Sequence, residues 1–239
     1  GLGTSPVVIE GVNPDLGLFR GSARLIPEHV QATSGAHQLE LELHNPWSRT
    51  VAMKVRPAGP SHWDFQPISR EVSIPAGERV RIPFEFIYPR FQVDGDIDFW
   101  FEVDLIDGVD PRIDLLVPST ILSDRVSLET DLSIVRDEHG EPSGVQVTLR
   151  AYNAGTDPIS LESFVTSQVY APKRKWMPEL QPGASATSSF RLPGGHQRLQ
   201  GRSIRVGVVE FDGNLRINRD LHVPAVEGVV VGVDPSEVD

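Results

Sequence analysis

The chain has 239 residues, of which 39% are hydrophobic and 23% are charged, with no cysteine and a net charge of −11. This composition supports folded cores, excludes disulfides and cysteine-based zinc sites, and argues against nucleic acid or an anionic membrane surface as a partner. No apolar run approaches the roughly 18 residues that a membrane-spanning helix needs, so membrane insertion is not expected.

Apolar residues alternate with polar ones through the first half of the chain, which predicts β-strands with one buried and one solvated face. The alternating segments are 39–43, 51–55, 80–86 and 97–105. One stretch, IPEHVQA at 26–32, suggests a helical turn. Asp107-Gly108 suits a tight hairpin, because Asp-Gly tolerates positive φ.

The second half repeats the landmarks of the first. Segments 145–149 and 204–208 alternate in the same way, and Asp212-Gly213 offers a second hairpin turn. Asn153 follows Asn45 by 108 residues, and Asp212 follows Asp107 by 105. Ordered landmarks at nearly constant spacing predict two copies of one module, at 1–123 and 124–224, followed by a tail at 225–239.

The connection between the copies, PSTILSD at 118–124, is short and apolar. A floppy tether is usually longer and more polar, so we expect Ile121 and Leu122 to be buried at a domain junction. Seven or eight short strands in each copy, with turn signals every 8–12 residues, are typical of a sandwich of two antiparallel sheets. The predicted fold is all-β, with two tandem immunoglobulin-like antiparallel β-sandwiches.

The segment from Leu43 to Phe86 resembles bacterial immunoglobulin-like modules. It has an Asn closing a strand, a Pro…Trp segment and a Pro-x-Gly-Glu turn before an alternating strand. The second copy resembles the adhesion-related variant of that pattern, with YAPKRKWMPEL at 170–180 in place of the central Trp segment. The opening GLGTSP is typical of a cut point, so we expect a piece of a larger protein.

The resemblance implies a non-catalytic module of the kind appended to glycoside hydrolases, proteases and surface proteins. Its partners would be other domains of the parent protein, or a protein or glycan, and its location the periplasm, the cell surface or the exterior. It brings no catalytic residues and no cofactor. The sequence contains no Gly-x-Ser-x-Gly, His-Glu-x-x-His, phosphate loop or dinucleotide fingerprint, and its seven histidines have no metal-ligand spacing.

Residues 94–114 carry seven aspartates and Glu102 against Arg112 alone. One interpretation is a calcium site that uses Asp94, Asp107 and Asp110 as oxygen ligands. The helix-loop-helix calcium motif is excluded, because Phe99 occupies the sixth position counted from Asp94, where that motif has Gly. A catalytic carboxylate pair would need a cleft. We favour a solvated outer face whose charge discourages edge-to-edge pairing.

Trp100 is predicted to share that outer face with four carboxylates, which belong to Asp96, Asp98, Glu102 and Asp104. An exposed aromatic ringed by acids suits a sugar-binding surface. We favour the other interpretation, that Trp100 is covered by the N-terminal strand or by the second copy, since large apolar side chains rarely stay exposed. KRKW at 173–176 is predicted to be a basic, solvated loop, with contact to the acidic face as the alternative. Trp47 and Trp63 are predicted to be structural.

Overall fold

The structure, a computed structural model, describes residues 14–106 and 112–225. It is rich in strands, which confirms the all-β prediction, and neither of its described helices is long and apolar enough to span a membrane. The chain divides into two compact units between Leu122 and Ser123. The elements in chain order are α1 (Pro14–Ser22), β1 (Arg24–Ile26), β2 (His29–Gln31), β3 (Ala36–His44), β4 (Val51–Gly59), β5 (Asp64–Gln66), β6 (Arg70–Ile74), β7 (Arg79–Ile87), β8 (Gly95–Leu105), β9 (Arg112–Leu122), β10 (Val126–Arg136), β11 (Pro142–Asn153), β12 (Leu161–Thr166), β13 (Lys173–Trp176), β14 (Ser185–Pro193), α2 (Gly195–Leu199), β15 (Ser203–Glu210) and β16 (Arg216–His222).

The first unit consists of two facing sheets, with strand orders β1-β3-β7-β5 and β2-β9-β8-β4-β6. Its pairings are antiparallel except for that of β2 with β9, which is parallel. Aromatic rings meet between the sheets: Phe84 lies 5.7 Å from Phe101, and Phe86 lies 5.6 Å from Phe99. Each fully buried side chain of this size contributes about 1.5–3 kcal/mol relative to exposure, so this aromatic layer holds the two sheets together.

The second unit also has two sheets, with orders β10-β11-β14 and β13-β12-β15-β16. The hydroxyl of Ser163 in one sheet donates a hydrogen bond of 2.8 Å to the hydroxyl of Ser188 in the other sheet, within the buried layer. The predicted turn between β15 and β16 is present, with Asp212 at φ 55°. The corresponding turn of the first unit, at Asp107-Gly108, lies outside the described residues.

One local prediction was wrong, and one helix was not foreseen. The segment at 26–32 is not a helical turn, because β1 ends at Ile26 and β2 spans His29–Gln31. A real helix, α1, was missed, because Gly17 and Gly21 weaken its helical signal. Tertiary packing stabilises α1 instead: Phe19 is fully buried, and its ring centroid lies 5.2 Å from that of Trp47.

The connection between the units is shorter than the sequence predicts. Strand β9 continues to Leu122, and β10 begins at Val126, so only residues 123–125 lie between these strands. Ile121 is buried and pairs with Val30 of β2 inside the first unit, whereas Leu122 is half-buried.

A buried asparagine closes one end of each unit. The Asn45 amide donates to the carbonyls of Arg49, Ile74 and Pro75 at 2.8–3.0 Å, and its oxygen accepts from the Trp47 N–H at 2.9 Å. Because Ile74 ends β6, which belongs to the opposite sheet, this side chain ties the two sheets together.

Asn153 makes corresponding contacts in the second unit, with two carbonyl acceptors instead of three. Its amide donates to the carbonyls of Asp157 at 2.8 Å and Leu180 at 2.9 Å, and its oxygen accepts from the Gly155 N–H at 2.9 Å. Both asparagines are almost completely buried. The landmark that marks the repeat in the sequence is therefore a structural cross-link in each unit.

We expect Asn45→Ala and Asn153→Ala each to lower the free energy of unfolding by about 3 kcal/mol, because each substitution leaves several buried backbone groups without a hydrogen-bond partner. Hydrogen exchange read by mass spectrometry will locate the loss in the first unit for the former and in the second unit for the latter. Asn214→Ala, at an exposed turn position, is the control and is expected to cost under about 0.5 kcal/mol. Unchanged exchange in either variant would contradict the cross-linking role.

Candidate functional site

The acidic side chains of β8 do not form one group. Arg56 of β4 lies 2.8 Å from Asp104 and 3.3 Å from Glu102. On the other side, Arg112 of β9 pairs with Glu102 and lies 3.3 Å from Asp114. Cross-strand arginines thus neutralise the carboxylates at this end of the strand.

Trp100 lies on the outer face of the same sheet and is 48% exposed. Directly across the strand pair lies Leu116, which is 63% exposed, and on the other side of Trp100 lies Gly59. Opposed residues on neighbouring strands place their Cβ atoms about 4.5–5.5 Å apart, so the two apolar side chains form one surface. We call Trp100 and Leu116 the first-unit patch.

Asp96 and Asp98 belong to a different feature, a shallow cleft of about 940 Å³ beside β1. Arg24, Glu28 and Thr120 also line it, and the Thr120 hydroxyl lies 3.3 Å from Asp96. The five predicted site residues therefore separate into a cleft-lining pair, an apolar patch and an arginine-paired group.

Of the three calcium candidates, one lies within the described residues: Asp94, which directly precedes β8. Asp107 and Asp110 lie outside the described residues. Within residues 14–106 and 112–225, no group of three or more acidic, histidine or cysteine side chains is placed to hold a metal ion.

A buried carboxylate that the sequence did not single out lies on the outer face of the other sheet. Glu42 is 3% exposed and accepts hydrogen bonds from Arg24 at 2.8 Å and from Arg79 and Arg81 at 3.1 Å. Burial raises the pKa of Glu42, but the hydrogen bonds from the three arginines outweigh it and hold that pKa below its ordinary value. The cluster stabilises three neighbouring strands, β1, β3 and β7.

In the second unit, KRKW is not the solvated loop that the sequence predicts but the edge strand β13. The ammonium groups of Lys173 and Lys175 donate to backbone carbonyls of β14, at Arg191 (2.7 Å) and at Ser189. Among the described strands, β14 pairs only with β11, so the lysines occupy acceptors on its other edge. Lysines at such edges oppose pairing with other chains.

Trp176 ends β13 and is 62% exposed, and Phe211, from the turn after β15, is 55% exposed. Their ring centroids lie 4.9 Å apart with the planes at 80°, an edge-to-face contact. We call these two residues the second-unit patch. Phe211 was missed by the sequence analysis; its position directly before Asp212-Gly213, at a hairpin tip, is the signal that would have drawn attention to it.

Arginines and an aromatic ring adjoin the second-unit patch. Arg174 of β13 pairs with Glu162 of β12 at 2.7 Å. The guanidinium of Arg216 lies 4.9 Å from the centre of the Phe164 ring, which lies over Gly207. A side chain at Gly207 would clash, since its Cβ would overlap the backbone carbonyl oxygen of Ile217 on β16 and lie 2.8 Å from Phe164 Cζ.

No family model matches this sequence, and no curated protein matches it. Several solved structures are loosely similar, among them a red sea bream transglutaminase with 10% identity and a TM-score of 0.37. That match covers 84% of this chain and 30% of the transglutaminase, so the chain spans less than a third of that protein. A protein of unknown function from Porphyromonas gingivalis W83 and the YadV chaperone each share 14% identity at a TM-score of 0.29, with 84% of this chain and 96% and 100% of theirs covered. Similarity at this level carries no argument about function.

We expect calcium to produce no specific stabilisation, because the equivalent turn of the second unit, at Asp212-Gly213, forms without a cluster of carboxylates. The neighbouring carboxylates of Glu102, Asp104 and Asp114 are already held by arginines. The check is the melting temperature in the presence of chelator, millimolar calcium or millimolar magnesium. Calcium and magnesium should shift it by the same small ionic-strength effect. A calcium-specific rise of several degrees that Asp94→Asn or Asp107→Asn abolishes would show that an ion is bound.

We expect the Glu42 cluster to make the first unit sensitive to acid. A carboxylate whose pKa is lower in the folded state than in the unfolded state stabilises the fold when the pH is above the unfolded-state pKa, which is near 4.5 for Glu42. That stabilisation is lost as the pH falls through the folded-state pKa. Glu42→Gln should therefore lower the melting temperature at pH 7 and flatten its decline in acid. Glu40→Gln is the matched control, because Glu40 lies on the same strand and its carboxylate is 3.7 Å from Arg81. An equal effect of both variants would contradict the role of Glu42.

Proposed function

We propose that this chain is a non-catalytic, tandem immunoglobulin-like spacer and interaction module of a larger exported bacterial protein. The recurrence of the buried asparagine contacts at Asn45 and Asn153 supports a repeated module. A module of this kind would act in the periplasm, at the cell surface or outside the cell, joined to other domains of its parent protein.

The observation that carries the interaction role is the first-unit patch. Trp100 and Leu116 lie exposed side by side on a sheet face, although alternation on a solvated face favours polar residues there. Exposed apolar surface rimmed by polar residues marks interaction sites, and aromatic side chains are enriched at the energetic centres of protein interfaces. We infer that a protein surface binds there.

A carbohydrate-binding role for Trp100 is the second candidate, favoured by the exposure of its ring. Sugar recognition needs acceptors around the ring in addition to stacking. Of the two strand neighbours of Trp100 on that face, Glu102 is already engaged by Arg56 and Arg112, which leaves Asp98 as the exposed acceptor. The exposed leucine beside the ring also fits an apolar protein side chain better than it fits a hydroxyl-rich sugar.

A polysaccharide and glycan array separates the two roles. We expect the array to retain none of the purified chain. In a second experiment, a photo-crosslinking residue replaces Leu116 in the parent protein, within its own cells. We expect this residue to form a discrete protein adduct that is lost in the Trp100→Ala variant. Circular dichroism must show that Trp100→Ala remains folded. Retention on a glycan that Trp100→Ala abolishes would overturn the protein-binding role and establish the second candidate.

A further inference from the structure

Part of the outer edge of β9 has no neighbouring strand among the described residues. Strand β2 pairs only with the last three residues of β9. The Leu122 carbonyl accepts a hydrogen bond of 2.7 Å from the Ala32 N–H, on the side of β9 that faces away from β8. Because backbone groups alternate in direction along a strand, those of Asp114, Leu116 and Pro118 point to the same side. Unpaired N–H and C=O groups at a sheet edge can pair with a further strand.

The cleft of about 940 Å³ borders this open edge. Pro118 and Ser119 of β9 line it together with Leu25 of β1. Leu116 of the first-unit patch is two residues from Pro118, and both side chains are exposed on the same sheet face, so the patch adjoins the cleft. The side chains of a strand alternate between the two sheet faces. A strand added at this edge would therefore place some of its side chains beside the patch and the cleft.

The charge around the cleft restricts what can enter it. Asp96, Asp98 and Glu28 are exposed in its lining. Arg24, the basic residue of that lining, donates to Glu42 at 2.8 Å. The remaining acids favour a cationic side chain and oppose a carboxylate.

We propose that the protein partner adds an extended segment to the open edge of β9, with an apolar residue beside Leu116 and a lysine or arginine two positions away in the cleft. This inference rests on the proposed function and names the partner's binding element. Main-chain hydrogen bonds to Asp114, Leu116 and Pro118 hold the segment, and its side chains give specificity. Asp98 lies directly across from Pro118. A residue added on the other side of Pro118 is about 10 Å from Asp98, or two strand spacings, a distance that a long basic side chain can span.

Selection of a random peptide library displayed on phage against the purified chain tests this. Enriched peptides should carry lysine or arginine two positions from an apolar residue, and synthetic copies should bind the chain. Amide hydrogen exchange read by NMR then locates the bound peptide. The N–H groups of Asp114 and Leu116 should exchange readily in the free chain and roughly tenfold more slowly, or slower still, in the complex, because each gains a hydrogen bond.

Two matched pairs of variants separate the contributions of the backbone and the charge. Leu116→Pro and Leu116→Ala both remove the apolar side chain, but only proline also removes the N–H. The proline variant should therefore bind the peptides about fivefold more weakly than the alanine variant. The strand should accept that proline, because Pro118 already occupies an equivalent position two residues away.

Asp98→Lys should weaken peptide binding about tenfold, because it places a cation beside the basic side chain of the peptide. Asp131→Lys makes the same change of charge at an exposed position of β10 and should bind like the wild type. Circular dichroism confirms that each variant is folded.

The proposal would be overturned by a selection that enriches no peptide with this spacing, or by exchange at Asp114 and Leu116 that the peptides leave unchanged. Equal binding within either pair of variants would also contradict it. If the cross-link from position 116 in cells still depends on Trp100, the partner binds through a folded surface and the proposed function stands without the added strand. Loss of that cross-link as well would overturn both.

Discussion

The buried asparagine amide is the interaction on which each unit depends. Asn45 and Asn153 each follow the alternating apolar residues of a long strand and reach carbonyls of the opposite side of the sandwich, at Ile74 and Leu180. An amide with two donors and an acceptor can satisfy several backbone groups that a loop end would otherwise leave buried and unpaired. An aliphatic residue of the same size would fill the space but leave those groups without hydrogen-bond partners. The asparagine contact therefore fixes the geometry at that end of both sandwiches.

Because the buried contacts fix the architecture, the side chains on the outer sheet faces can differ between the two units, and they do. Where the first unit carries Lys54 opposite Glu71, the second carries Glu162 opposite Trp176. Ile106 and Phe211, which hold equivalent places after their strands, are both exposed, and Phe211 has an aromatic partner beside it. Buried cross-links preserve an architecture while surface positions change, so chemistry has to be argued from the faces and not from the fold.

The sequence predicted the parts of this structure that depend on local pattern. Two-residue alternation identified the long strands, and the Asp212-Gly213 turn was recognisable from its residue types. The features that escaped prediction depend on tertiary contact. Helix α1 has two glycines and is stabilised by the burial of Phe19, and the triple arginine environment of Glu42 requires knowledge of which strands are neighbours. Trp100 was identified as an outward-facing aromatic, but its pairing with Leu116 depends on strand register.

Strand register also decides what the acidic stretch does. The carboxylates of Glu102 and Asp104 are neutralised because Arg56 and Arg112 lie directly across from them on β4 and β9. Toward the other end of β8, Asp98 lies opposite Pro118 and is exposed to solvent. The strand therefore has an arginine-paired end and a solvent-exposed acidic end, with Trp100 between them. Charge placed asymmetrically beside an apolar centre contributes little affinity of its own but rejects wrongly oriented or like-charged surfaces, so the protein interaction that we propose for this face would be selective for orientation.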